Sequence, residues 1–248
     1  RRRSWSQMED KLYEMMDWAE IEAVVYSEEN QPRNILGPHK TKDGIVIQGY
    51  FPDAVEASVK LLSDEKTVPM VQEDEGGYFA VLLPGTKIPE YRFVVTGPDG
   101  EKEEFYDAYA FPCQLDEKAQ KQFEAGICYN VYEMLGAHPA VIDGVRGTCF
   151  AVWAPNAIRV SVVGDFNHWD GRMHQMHLHE SGIYELFIPE VGEGALYKYE
   201  IKAKGGLVYL KADPYANASQ LRPDTASVVA DLGKYRWQDG DWMKQRRK

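Results

Sequence analysis

Between Met8 and Ser27 the apolar residues Leu12, Met15, Met16, Ala19, Ala23 and Tyr26 recur at helical spacing behind an acidic start. This predicts one amphipathic helix or two short ones, ended by Pro32, which has no amide hydrogen to give. From Ile35 to Phe111 the period falls to two. In the run Val55 to Leu61, the residues Val55, Ala57, Val59 and Leu61 share one face, and Glu56, Ser58 and Lys60 the other. Asp43-Gly44, Gly76-Gly77 and Asp99-Gly100 separate such runs and supply the positive φ of tight turns. Six or seven short strands over roughly eighty residues predict a β-sandwich. Residues 114–125, charged but carrying Leu115, Ala119 and Phe123, predict a connecting helix, and Val131 to Leu135 a further turn. Alternation then resumes from Gly136 to Asp231, with Ala157 to Val163 matching the alternating strand of the first half.

The pattern is written twice. Leu36-Gly37-Pro38-His39 returns as Leu135-Gly136-Ala137-His138, and the run Gly77 to Pro84 returns as Gly182 to Pro189. Tyr91-Arg92-Phe93-Val94-Val95 returns as Tyr197-Lys198-Tyr199-Glu200-Ile201, and Asp107-Ala108-Tyr109-Ala110 as Asp213-Pro214-Tyr215-Ala216. The offset drifts only from 99 to 106 residues, too long for a solenoid and right for a duplicated domain. The equivalent placing of His39 and His138 predicts a shared structural role in the loop.

Composition narrows the chemistry. A net charge of −11 argues against nucleic acid or an anionic membrane as partner and leaves a neutral sugar open. No run approaches the ~18 apolar residues of a membrane span. Arg1-Arg2-Arg3 leads into Ser4-Trp5-Ser6-Gln7 without an apolar core, so no secretory signal is expected, and Met8-Glu9-Asp10 reads as a natural start. Cys113, Cys128 and Cys149 show no C-x-x-C spacing, which predicts free, mostly buried thiols in a reducing cytoplasm. His177 and His179 would share a face of a strand near His174, but no third ligand has evident spacing, so a surface strand is expected and no metal. The acidic runs Glu73-Asp74-Glu75, Glu101 to Glu104 and Asp116-Glu117 read as solvated turns or a helix face, not as a catalytic pair.

The halves differ after the alternating strand. The first continues Leu61-Leu62-Ser63-Asp64; the second has Gly164-Asp165-Phe166-Asn167-His168-Trp169-Asp170-Gly171. A tryptophan among short polar residues can stack on the apolar face of a pyranose while its neighbours take the hydroxyls. Equally, Trp169 can pack against its own domain or a neighbour.

The runs Phe150 to Ala157, Val162 to Arg172, Leu196 to Ile201 and Lys211 to Ala216 resemble the N-terminal region of bacterial 1,4-α-glucan (glycogen) branching enzymes. The resemblance implies that the later copy is a carbohydrate-binding module of family 48 and the earlier one an extra N-terminal sandwich. It also implies that a glycoside hydrolase family 13 (β/α)₈ barrel carries the chemistry. No βα alternation exists here, so this chain by itself is expected to be inert. By the resemblance, Asn167, Trp169 and Lys198 are the glycan-binding candidates. The second platform tryptophan is missing from Gly205 to Tyr209, and an expected Asn is replaced in Thr225 to Val229, so weak or undetectable affinity is expected. Trp153, Trp237 and Trp242 are candidates for interdomain packing.

The predicted fold is all-β: two tandem immunoglobulin-like β-sandwiches with a short N-terminal helix and a connecting helix. Residues 1–32 form the helical segment, 33–112 the first sandwich, 113–134 the connection, 135–231 the second sandwich and 232–248 a linker toward the barrel. The implied partners are α-1,4-glucan or glycogen and the barrel, with no cofactor and a cytoplasmic location. A stand-alone glucan-targeting module and a purely structural interaction domain are the alternatives.

Overall fold

The computed structural model describes residues 9–234, 236 and 238–246. The N-terminal pattern resolves into two short helices, residues 9–14 and α1 (Trp18–Val25). Asp17 divides them by accepting from Ala19 N at 3.2 Å and Glu20 N at 3.3 Å, which satisfies first-turn amides. Pro32 does not end the helix. The chain leaves it at Ser27, in the left-handed region at φ 55°, and Pro32 opens a 3₁₀ turn, Pro32–Asn34, where a fixed φ is an advantage.

The first sandwich has strands β1 (Gly37–Thr41), β2 (Gly44–Tyr50), β3 (Glu56–Leu61), β4 (Thr67–Pro69), β5 (Val71–Asp74), β6 (Tyr78–Leu83), β7 (Tyr91–Thr96) and β8 (Lys102–Phe105). They form two antiparallel sheets, β1-β2-β6-β5 and β4-β3-β7-β8, closed on Ile45, Ile47, Val59, Phe79, Val81 and Phe93. Strand β6 is buried on both faces, because Tyr78, Ala80 and Leu82 lie beneath Leu12, Ile21 and Val24 of the N-terminal helices.

After α2 (Glu117–Glu124) and α3 (Val131–Met134), the second sandwich has β9 (Gly136–Ile142), β10 (Val145–Trp153), β11 (Ala157–Gly164), β12 (His177–Leu178), β13 (Ile183–Pro189), β14 (Leu196–Ala203), β15 (Val208–Lys211), β16 (Ala218–Ser219) and β17 (Ser227–Val228). Its sheets are β12-β13-β10-β9 and β11-β14-β17-β16, with β15 added on β14, around Phe150, Val160, Val162, Tyr184, Leu186, Tyr197 and Tyr199. A last short helix, α4, spans Gly240–Gln245. Two of the acidic runs sit partly elsewhere than expected: Glu73-Asp74 and Glu103-Glu104 lie in β5 and β8, both edge strands, where charge discourages pairing with another chain. Asp116 caps α2 through Ala119 N at 3.1 Å.

The repeated sequences meet one another inside each sandwich. Tyr91 Oη donates to Asp107 Oδ2 at 2.5 Å, and Tyr197 Oη to Asp213 Oδ2 at 2.6 Å. The second oxygen of each carboxylate takes the amide of Tyr109 or Tyr215 at 2.9 and 2.8 Å. Gly37 and Gly136, at φ 91° and 106°, pass close beneath the carbonyls of those two tyrosines. His39 and His138 each turn Nε2 to the carbonyl three residues back, at 3.2 and 2.8 Å, so the two play matching parts, from strands β1 and β9 rather than from a loop.

Ion pairs tie the sandwiches together, Arg92 to Glu190 at 3.0 Å and Arg172 to Asp53 at 2.9 Å. The N-terminal segment reaches across as well: Arg159 Nε donates to Ser27 O at 3.1 Å and Gln175 Nε2 to Val24 O at 3.1 Å.

Candidate functional site

The segment that sets the second copy apart leaves β11 at Gly164, makes a 3₁₀ turn over Asp165–Asn167, and places His168 and Trp169 at φ 55° and 60°. Two successive non-glycine residues in this region are strained, so the surroundings must hold them. Asn167 supplies that hold. Its Oδ1 accepts from Gly164 N at 2.9 Å, and its Nδ2 donates to Val162 O and to His174 Nδ1, each at 2.8 Å. Asn167 is 1% exposed, and both ends of its carboxamide are engaged. It therefore shapes the loop and is not offered to a sugar hydroxyl, a correction to its place among the glycan contacts.

Trp169 is partly exposed, and its indole N–H donates to Asp165 Oδ1 at 2.8 Å, which fixes the ring's orientation. Lys198 lies on β14 opposite Val163 of β11, one residue before the loop begins, and its Nζ donates to Thr225 Oγ1 at 2.7 Å. Thr225 thus occupies the stretch where an Asn was expected and holds the lysine. The structure brings Asn167 and Trp169 into one loop, with Lys198 at the end of the neighbouring strand.

The other tryptophans divide. Trp153 is 53% exposed and meets Phe123 of α2 at 5.9 Å between ring centroids, so it packs on the connecting helix rather than in a core. Trp242 is 59% exposed, with the Arg246 guanidinium 5.5 Å from its ring centroid. Trp237 lies outside the described residues.

Sequence reasoning missed two features. A groove of 460 Å³ runs between the sandwiches beside the loop, lined by Phe105, Tyr106, Asp165, Phe166, His168 and Glu190. Its walls come from both copies, so neither copy's sequence could display it. The cysteines are all free, but Cys113 is exposed and Cys128 and Cys149 are half-buried, not mostly buried as expected. His177 and His179 do share a face, and Cys113 and Glu185 join His179 there from distant positions. His174 lies apart, against Phe166 at 5.8 Å.

The hydrogen bond from Asn167 requires an unprotonated Nδ1 on His174, and burial holds this imidazole well below its ordinary range, at about 4. Between about pH 4 and 6.5 the unfolded chain therefore binds more protons at this residue than the folded one. The stability it confers is complete above about 6.5 and falls away as pH drops toward 4. Asp107, which burial raises to about 6, acts in the opposite sense over part of that window. His174→Gln isolates the histidine, since Asp107 is common to both proteins. The loss of stability between pH 7 and pH 4.5, read from urea midpoints, is expected to be smaller in the variant. Equal losses would discard this account.

Comparison with known proteins places both halves. Residues 17–109 match the family model "alpha-1,4-glucan branching enzyme GlgB, N-terminal domain", and residues 134–216 match "Carbohydrate-binding module 48 (Isoamylase N-terminal domain)". The chain is 45% identical over 227 residues to the 1,4-alpha-glucan branching enzyme GlgB of Rubrobacter xylanophilus, covering 91% of this chain and 31% of that protein. It is 47% identical over 232 residues to the GlgB of Gloeobacter violaceus, covering 92% and 31%. The chain thus spans about a third of the length of these curated relatives. Among solved structures, the type I pullulanase of Bacillus subtilis complexed with maltose aligns at 18% identity over 82% of this chain and 28% of its own, with a TM-score of 0.36, too weak a likeness to carry an argument. By the two family matches, this chain is similar, in order, to the GlgB N-terminal domain and to carbohydrate-binding module 48.

Proposed function

We propose that this chain is the non-catalytic N-terminal part of a glycogen branching enzyme, presenting α-1,4-glucan to a catalytic barrel and orienting that barrel. The observation that carries the glucan half is Trp169. Its ring is held by Asp165 at 2.8 Å on a loop pinned by a buried Asn167, and it stays partly open to solvent. A ring fixed before the ligand arrives loses little entropy on binding, which suits a flat apolar sugar face. The family 48 match over 134–216 contains this loop and supports the same reading. Lys198, held by Thr225, is the second proposed contact. On this reading the chemistry belongs to a glycoside hydrolase barrel, and the part carried here contributes glucan presentation and orientation. The reading carries a cytoplasmic location with it; among the described residues, no helix is long and apolar enough to cross a membrane.

Maltoheptaose titrated into the protein and followed by tryptophan fluorescence tests the glucan half. Saturable binding in the millimolar range is expected. Trp169→Ala is expected to weaken it about fivefold to tenfold, since a stacked ring contributes on the order of 1 kcal/mol beyond its buried area. A flat titration with intact protein removes the glucan role and leaves the docking role. That second reading draws on Trp242, 59% exposed on the last helix.

A further inference from the structure

The outer face of the β12-β13-β10-β9 sheet lies under the segment that joins the sandwiches. Phe111 packs on Phe187 at 5.1 Å, and Leu115 and Phe123 cover Ala151 and Ile183. Within this covered face stands a carboxylate, Glu185, only 3% exposed. Its Oε1 accepts from the backbone amides of Gln114 and Leu115, the latter at 3.0 Å. Its Oε2 is left for His179 Nε2, at 2.7 Å. Cys113, next to Gln114 and exposed, points its thiol at the same place. The Cys113 Sγ, a ring nitrogen of His179 and a carboxylate oxygen of Glu185 all lie within 4.8 Å of one another. Beside them, His177 has its ring centroid 5.5 Å from that of His179, and its Nδ1 is buried without a hydrogen-bond partner.

We propose that Cys113, His179 and Glu185 bind a zinc ion, which pins the inter-sandwich linker to the second sandwich. One thiolate, one imidazole and one carboxylate form a donor set for a borderline-soft cation, whereas magnesium and calcium take oxygen ligands. Metal–ligand bonds of about 2.0–2.3 Å place tetrahedral donors roughly 3.3–3.8 Å apart. Reaching that spacing asks for a shift of about 1 Å, within reach of the exposed Cys113 side chain. The outer shell already exists: two backbone amides fix one oxygen of Glu185 and thereby aim the other. Water or His177 completes the fourth position. On binding, the thiol proton and any imidazole proton leave to solvent, and Zn–S, Zn–N and Zn–O bonds form. The other thiols stand outside this cluster, and burial pushes Cys149 up to about 12.

Zinc titrated into the metal-free protein tests this, with cobalt as the spectroscopic substitute. One ion per chain is expected, together with a higher melting temperature that reverts on chelation. The cobalt form is expected to show a thiolate charge-transfer band in the near ultraviolet. Cys113→Ser, a change at an exposed site, should remove the band and weaken zinc binding by on the order of tenfold or more. His179→Gln should weaken it similarly, and Cys128→Ser should alter neither readout. No stoichiometric zinc uptake, or a thiolate band that survives Cys113→Ser, overturns the proposal.

Discussion

Gly136→Ala is expected to lower the stability of the fold by about 3 kcal/mol, read as a fall in the urea midpoint at unchanged slope. Two causes add. The backbone there has φ 106°, where an L side chain is strained. An added Cβ would also stand 2.7 Å from the carbonyl oxygen of Tyr215, which cannot swing aside because the amide of Tyr215 is held by Asp213 at 2.8 Å. Gly37→Ala in the first sandwich is expected to behave alike, with a Cβ 2.8 Å from the carbonyl of Tyr109. Gly144→Ala is the control: its φ is 78°, but nothing lies within 4 Å of the new carbon, so only strain of about 1 kcal/mol applies. If Gly136→Ala costs no more than Gly144→Ala, the close approach of the two repeated segments carries no energetic weight.

Arg159→Ala is expected to cost a further large amount, about 3–5 kcal/mol, because it removes one side of a buried charged cluster. The guanidinium is 3% exposed; it pairs with Glu200 at 2.9 Å, donates to Ser161 Oγ at 3.0 Å and reaches Ser27 O at 3.1 Å. Deleting it leaves those acceptors without their donor and cuts a direct tie between the N-terminal helices and the second sandwich. The variant should therefore be cut by protease within residues 9–30 faster than the parent under native conditions. Arg159→Met keeps the apolar stem and separates packing from charge. Unchanged cleavage in Arg159→Ala would show that the N-terminal segment is held by the Val24 and Glu28 contacts instead.

The loop at 164–171 illustrates how far local sequence reaches. Its departure from the first copy marks it as a special segment, and its composition marks Trp169 as the ring to watch. The division of labour within it was not legible. Asn167 and Asp165 are both short polar residues, yet one is buried under the loop and the other holds the indole at 2.8 Å. Which way Asn167 points from this 3₁₀ turn depends on His174 and Val162, which lie outside the loop. Strand β6 teaches the same lesson for the core. Its run Tyr78 to Leu83 is apolar throughout, and only the structure shows what covers the second face: helices laid over the sheet.

By itself the sequence determined the period-two strands, the turns that separate them, the duplication and the helical character of residues before the first sandwich. These are local properties: side-chain alternation, backbone freedom at glycine, and the repeat of short words at a nearly constant offset. Only the tertiary structure decided which repeated words touch, where the inter-sandwich groove opens, and that Cys113 meets His179 and Glu185 across separations of 66 and 72 residues. Each of those depends on packing one sheet, linker or sandwich against another, and such contacts leave no periodic trace in a single chain.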